Sequence, residues 1–274
     1  MARNIQTVQF EDFTFNEQPA RKKRHPLRNT IISLVIVAAI GVAGYLVAEP
    51  LARQSVEEFV KVGVARELGV SDADSVHVDL GSGSVLLQVI QGRIKHLHVT
   101  VDHFSSGTLA GSAVFTAKGV PLNTNKPVST IGITVSVGAA DLRGIVASAA
   151  DASNATVAFA GKNLRIGSSV TLLGQTLPVS VDLAPKASAG QLLLTPTEIT
   201  VNGASYTADQ LRASPIGGLV GGLLATRTEC VASGLPRNME LTSVVVKNNR
   251  LLVSVGGTGV TLASIGTKGS CPVG

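Results

Sequence analysis

Hydrophobic and polar positions change period several times along the chain. From Ile31 to Ala48 there is no period: the run is apolar nearly throughout and no charged residue lies between Thr30 and Ala48. A helix of that length covers the ~30 Å of a bilayer's hydrocarbon core. Helical spacing then follows in Val56, Phe59, Val60, Val64 and Leu68,. Ser55 with Glu58 reads as a capping box and Gly69 as a C-terminal stop, which predicts an amphipathic helix over roughly 56–68,. From residue 75 the period becomes two, with Val76 and Val78 alternating with His77 and Asp79. Val85-Leu86-Leu87-Gln88-Val89-Ile90 is almost continuously apolar and predicts a strand covered on both faces,. Leu97, Val99 and Val101 alternate with His96, His98, Thr100 and Asp102, as in a strand with one wet face,.

Further on, Ile131, Thr134, Val135 and Val137 predict another strand, and Asp141–Val146 opens a short helix. Residues 155–202 carry short alternating runs separated by Gly161-Lys162-Asn163, Gly174-Gln175 and Ser188-Ala189-Gly190, the pattern of a hairpin meander,. A second helix is expected around Thr207–Ala225. A hairpin closes the chain, with Leu241–Val246 and Leu251–Val255 flanking Lys247-Asn248-Asn249-Arg250 and a short edge at Val260–Leu262. Many antiparallel strands with few helices make an α+β fold. The expected organisation is a disordered basic tail over 1–29, a membrane anchor over 30–49 and one domain over 50–274.

Charge refines that organisation. Residues 1–29 have a net charge of +3 and residues 49–274 only +2. The large domain therefore lacks the electrostatic footprint of a nucleic-acid binder. Arg21-Lys22-Lys23-Arg24 and Arg28 flank the apolar run, and flanking positive charge stays cytoplasmic,. The run is longer than the core of a cleaved signal peptide, so it reads as an uncleaved single-pass anchor in the plasma membrane. The domain after Glu49 is then extracytoplasmic. Cys230 and Cys271, an even count in an oxidising compartment, are expected to form a disulfide,.

Recognised chemistry is sparse. Neither Gly-x-Ser-x-Gly nor Gly-x-x-x-x-Gly-Lys occurs, and Gly81-Ser82-Gly83-Ser84 reads as a turn,. His96 and His98 share a strand face, and Asp102 and His103 follow, so a zinc site is conceivable there,. That face is the wet one, beside Arg93 and Lys95, and the reading adopted is exposed histidines with no metal and no cofactor. Gly217/Gly221 and Gly218/Gly222 have small-xxx-small spacing within 214–225,. That segment reads both as a helix pressed onto a sheet and as a pliable apolar lid. The chain is 45% hydrophobic but 3% aromatic, without tryptophan, which suits acyl chains better than sugars, whose sites use aromatic platforms.

The order of elements carries a resemblance. An anchor leads into a helix over Ala52–Leu68, then Val85–Ile94, Leu97–Val101, Val170–Val181, Leu192–Ile199, Gly234-Leu235-Pro236 and the hairpin Leu241–Val255. The chain resembles the LmeA-like phospholipid-binding proteins of actinobacterial cell envelopes over roughly 50–265. The resemblance implies a long curved antiparallel sheet wrapping one or two helices, similar to tubular lipid-binding domains. It also implies phospholipid ligands, including phosphatidylinositol-type lipids, and a role in maintaining lipoglycans and the envelope barrier. On apolar phase, Val56, Phe59, Val60, Val64, Leu219, Val220, Leu223 and Leu224 are the expected acyl-chain lining. Arg93, Lys95 and Arg143 are the candidates for a lipid phosphate. The alternatives are an envelope lipid hydrolase or transferase, and a non-catalytic scaffold for envelope enzymes.

Overall fold

The computed structural model describes residues 26–70, 72–106, 109–149, 154–172, 175–214, 224–261, 263 and 266–271, excepting the side chains at 26–40, 43, 106, 148–149 and 170–172. Two units result, Met1–Leu46 and Val47–Gly274. The first contains the N-terminal part of helix α1, Pro26–Leu68. The tail over 1–25 and the turn residue Gly174 lie outside the described residues, as do most side chains of the apolar run. So do Leu219, Val220 and Leu223, with the glycines among them. Among the described residues no helix is long and apolar enough to cross a membrane.

The second unit contains every strand. Its part of α1 corrects one expectation: Ser55 is no N-cap. The helix continues through Pro50, and the Ser55 hydroxyl donates to the Leu51 carbonyl at 2.8 Å, four residues back,. The predicted stop at Gly69 is present. Val70 donates its amide to the Ala65 carbonyl (2.9 Å) and Gly69 to that of Arg66 (3.4 Å), with Gly69 at φ +63°. This is the two-bond Schellman closure, which favours glycine because the backbone turns left-handed.

The sheet architecture is double. One sheet runs in the order β1 (Val76–Asp79), β2 (Arg93–Ser106), β3 (Leu109–Pro121), β4 (Pro127–Val137), β12 (Arg250–Thr261), β11 (Met239–Lys247). The other runs β10 (Arg227–Cys230), β8 (Gln191–Val201), β7 (Gln175–Ser188), β6 (Asn163–Leu172), β5 (Thr156–Ala160), with β9 (Ala204–Thr207) also on β8. All pairings are antiparallel. The α+β class holds, but two six-stranded sheets stand where one long sheet was expected. The expected hairpin turns about Asn248-Asn249, both at positive φ, as a primed two-residue turn requires,.

Two elements differ from expectation. Val85–Ile90 is helix α2, not a strand. The Ser84 hydroxyl accepts the Leu87 amide at 3.0 Å as its N-cap, and the Glu49 carboxylate accepts the Val85 and Leu86 amides at 2.6 and 3.1 Å,. The expected long helix from Thr207 stops early, as α4, Ala208–Ala213. Thr207 and Gln210 form its capping box; Ser214 is extended before Pro215, whose ring disfavours a helical predecessor,. Helix α3, Ala139–Ala149, matches the helix expected at Asp141.

Apolar burial divides among four clusters. Val60, Val64, Ala65 and Leu68 of α1 pack on Val76, Val99, Val101 and Phe104. Val56 joins Leu80, Val85 and Ile94 beside α2. Leu142 of α3 meets Val137, Leu251, Leu241, Val244 and Val246 of the first sheet and Leu164 of the second. Ile199, Ala208 and Leu224 form the fourth cluster, under α4. On the far face of the second sheet, Arg165 holds the buried Asp182 with two hydrogen bonds (2.5 and 2.7 Å), and its guanidinium pKa is raised chiefly by that carboxylate.

Candidate functional site

The first sheet carries an apolar floor. Directly paired residues of a sheet share a face. The registers align Val78, Val99, Phe115, Ile133, Val255 and Leu241 in one row across all six strands. The adjacent row on that face is Val76, Val101, Ala113, Val135, Val253 and Val244. Both rows are apolar throughout.

Burial along the rows is uneven. At one side Val76, Val99 and Val101 are covered by α1, and at the other Leu241 and Val244 sit in the cluster shared with the second sheet. Between them Phe115, Ile133, Val135, Val253 and Val255 are only half-buried. Ile133 and its neighbour Ile131 belong to no buried cluster among the described residues. The result is a trough: covered flanks and an apolar strip left half-open over β3, β4 and β12.

One end of the strip is basic. At the start of β2 Ile94 turns into the cluster with Leu80, Val85 and Leu97, and its neighbours Arg93 and Lys95 are exposed. The Arg93 guanidinium reaches across β3 to the Ser129 hydroxyl of β4, its Nη1 donating at 3.4 Å. It passes over Gly119, at φ +59°, where a Cβ would stand 2.5 Å from Ser129 Oγ and 3.2 Å from Arg93 Nη1. Glycine there leaves room for the guanidinium beside Ser129, two residues along β4 from Ile131. Lys95 has an exposed side chain, while its amide donates to the buried Gln88 of α2 at 2.7 Å. The sequence reading identified Arg93 and Lys95 without the reach of Arg93 to Ser129, which the structure supplies.

The other candidates divide. Val56, Val60 and Val64 face the sheet as the wall of the trough. Phe59 is 80% exposed, so it does not line the trough. Its position follows from helix phase, a quarter-turn beyond the Val56–Val60–Val64 stripe. Leu224 is buried under α4 on the second sheet, away from α1. Arg143 is exposed on α3.

Asp102 pairs with His77 across β1 and β2 at 3.2 Å, and His98 meets Thr100 at 3.3 Å. No group of three or more His, Cys, Asp and Glu side chains suited to a metal occurs among the described residues. A cleft of ≈ 940 Å³ is lined by Ile131, Met239 and Gly257 and by the C-terminal segment 267–270. That segment is held by the Arg237 amide on the Thr267 carbonyl (2.7 Å), the Gly269 amide on that of Leu235 (2.9 Å), and the expected Cys230–Cys271 disulfide.

An apolar floor with a guanidinium at one end and few polar groups along it matches an amphiphile with a long hydrocarbon part. No curated protein and no solved structure matches the chain. Residues 47–256 match the model of the LmeA-like phospholipid-binding family, so they cover the α1 wall, the floor and both sheets, and the chain belongs to that family.

Proposed function

We propose that the protein holds a phospholipid with its acyl chains along the half-open strip of the first sheet and its phosphate at Arg93 and Lys95. The carrying observation is the strip itself: Phe115, Ile131, Ile133 and Val255 form an apolar surface that the fold leaves half-covered. From Ser129 to Val135 the strand rises about 20 Å, against the ~15 Å that one acyl chain spans in half a bilayer. Burying methylenes there contributes about 0.8 kcal/mol each, enough to draw a lipid from solvent but in near balance with the membrane it leaves. That balance suits loading and release rather than trapping. The Val56–Val60–Val64 face of α1 walls the strip.

In the same reading the run Ile31–Ala48 is a single-pass plasma-membrane anchor with the basic flank cytoplasmic. The large unit then works outside the membrane in envelope lipid or lipoglycan maintenance, on phosphatidylinositol-type lipids among others. A disulfide at Cys230–Cys271 supports an oxidising compartment,. Binding is favoured over hydrolysis or transfer because the floor carries no nucleophile beside a base: its polar residue at the basic end, Ser129, is paired with a cation. The test is native mass spectrometry of the full chain purified in detergent, alongside Ile133→Glu. A phospholipid mass adduct on the wild type, absent from the variant, is expected. A wild type that carries none and takes up none on incubation overturns the reading.

A further inference from the structure

The turns around α2 leave an apolar tip. Leu87 and Ile90 of α2 are 51% and 74% exposed. Leu122, in the turn between β3 and β4, is 52% exposed. These residues belong together: the Leu122 amide donates to the Gly92 carbonyl at 2.9 Å, and Gly92 closes α2 two residues after Ile90. Apart from Glu49, whose carboxylate caps the first amides at the other end of α2, the charges of the neighbouring segments are positive. Residues 84–101 and 118–129 contain Arg93, Lys95, Lys118 and Lys126 and no Asp or Glu. The tip is also fastened in place, because Ser84 and the first amides of α2 bond to Glu49. Glu49 follows the apolar run Ile31–Ala48 directly in sequence.

We propose that this tip is a membrane-docking surface: Leu87, Ile90 and Leu122 enter the interfacial layer of an anionic bilayer, with Lys126, Arg93 and Lys95 on its phosphates. Aliphatic side chains ringed by cations suit an anionic lipid surface, where apolar burial and attraction to the headgroups act together. A protein partner would have to bring a strongly acidic apolar cup, and a second copy would place four cations against four. The orientation also gives the trough a direction, since Arg93 links the tip to Ser129 of β4, two residues from Ile131. A lipid would pass between bilayer and floor head-end first or last without the protein leaving the membrane.

The docking inference is separable from the trough reading. The full chain has no free cysteine among the described residues, so a single environment-sensitive fluorophore can be placed by Ile90→Cys, Leu122→Cys or, as a control, Lys162→Cys in the exposed β5–β6 turn. Each is mixed with vesicles of phosphatidylcholine alone or with phosphatidylglycerol, with and without a spin-labelled acyl chain as quencher. The expected result is a blue shift and quenching at 90 and 122, none at 162, and a loss of most of the shift when phosphatidylglycerol is omitted or when Lys126→Glu is added. Probes at 90 and 122 as wet as the one at 162 overturn the proposal. So does a shift that depends on protein concentration without vesicles, which would mark self-association. Dry probes on a chain that loads no lipid would leave this surface standing and remove the trough; wet probes on a chain that loads lipid would do the reverse.

Discussion

Glu49 accepts the hydroxyl of Ser84 at 2.7 Å, thirty-five residues away in sequence. Its two oxygens also take the Val85 and Leu86 amides. A carboxylate at a helix N-terminus satisfies orphan donors and opposes the positive end of the helix dipole. This contact fixes α2, and with it the apolar tip, against α1. Glu49→Gln keeps the shape and removes the charge. Amide exchange at Val85, Leu86 and Leu87 should quicken by about an order of magnitude, while amides of β6 and β7 stay unchanged. Unchanged exchange in α2 would show that Glu49 does not hold it.

The Arg165–Asp182 pair ties β6 to β7 on the far face of the second sheet. Asp182 is 5% exposed and the Arg165 side chain 40%. Asp182→Ala leaves a half-buried guanidinium without its main partner, although Glu198 stands 3.7 Å away. Destabilisation of about 2 kcal/mol is expected, below the range for fully buried pairs because water reaches Arg165. Thermal or urea unfolding measures it. Lipid retention should persist, since the first sheet is untouched.

The disulfide Cys230–Cys271 closes a segment with a sequence separation of 41. On the chain-entropy model this contributes about 4 kcal/mol. Cys230→Ser with Cys271→Ser should lower the melting temperature and speed exchange of the Arg237 and Gly269 amides, which hold the C-terminal segment. A melting temperature unaltered by reduction would contradict the estimate.

The two ends of the trough should separate in their effects. Ile133→Glu places a charge on the floor and should abolish lipid retention, with a stability loss of about 1 kcal/mol because the position is half-open. Arg93→Gln should weaken retention by about tenfold for anionic phospholipids and leave uncharged diacylglycerol unaffected. Equal losses for both lipids would remove the phosphate role of Arg93.

Much of this was legible in the sequence where periodicity is local. The Val56–Leu68 stripe with its Gly69 stop, the alternation of Leu97, Val99 and Val101, and the Asn248-Asn249 hairpin are short-range signals, and each is present. Val85–Ile90 reads as a strand because six apolar residues have no period to choose helix over strand; the helix is started by the Ser84 cap together with Glu49, far upstream. Strand β3 gave no clear prediction because its alternation is diluted by Ala110, Gly111, Ser112, Ala113, Ala117 and Gly119, small residues that a central strand of a crowded sheet accepts. Ser55 satisfied a capping pattern inside a helix that had already begun. The candidate site was visible only in part. Single-strand patterns identify apolar faces, but the half-open strip also depends on the register of β4 with β12, more than a hundred residues later.

Photo-crosslinking the full chain to a phospholipid with a diazirine on its acyl chain reads the contact itself. After loading, digestion and mass spectrometry, adducts should fall on the β3, β4 and β12 peptides carrying Phe115, Ile131, Ile133 and Val255, and should vanish in Ile133→Glu. Adducts confined to other peptides, such as those of the second sheet or the cleft at Met239 and Lys268, with the floor peptides unlabelled, would contradict acyl-chain binding in the trough.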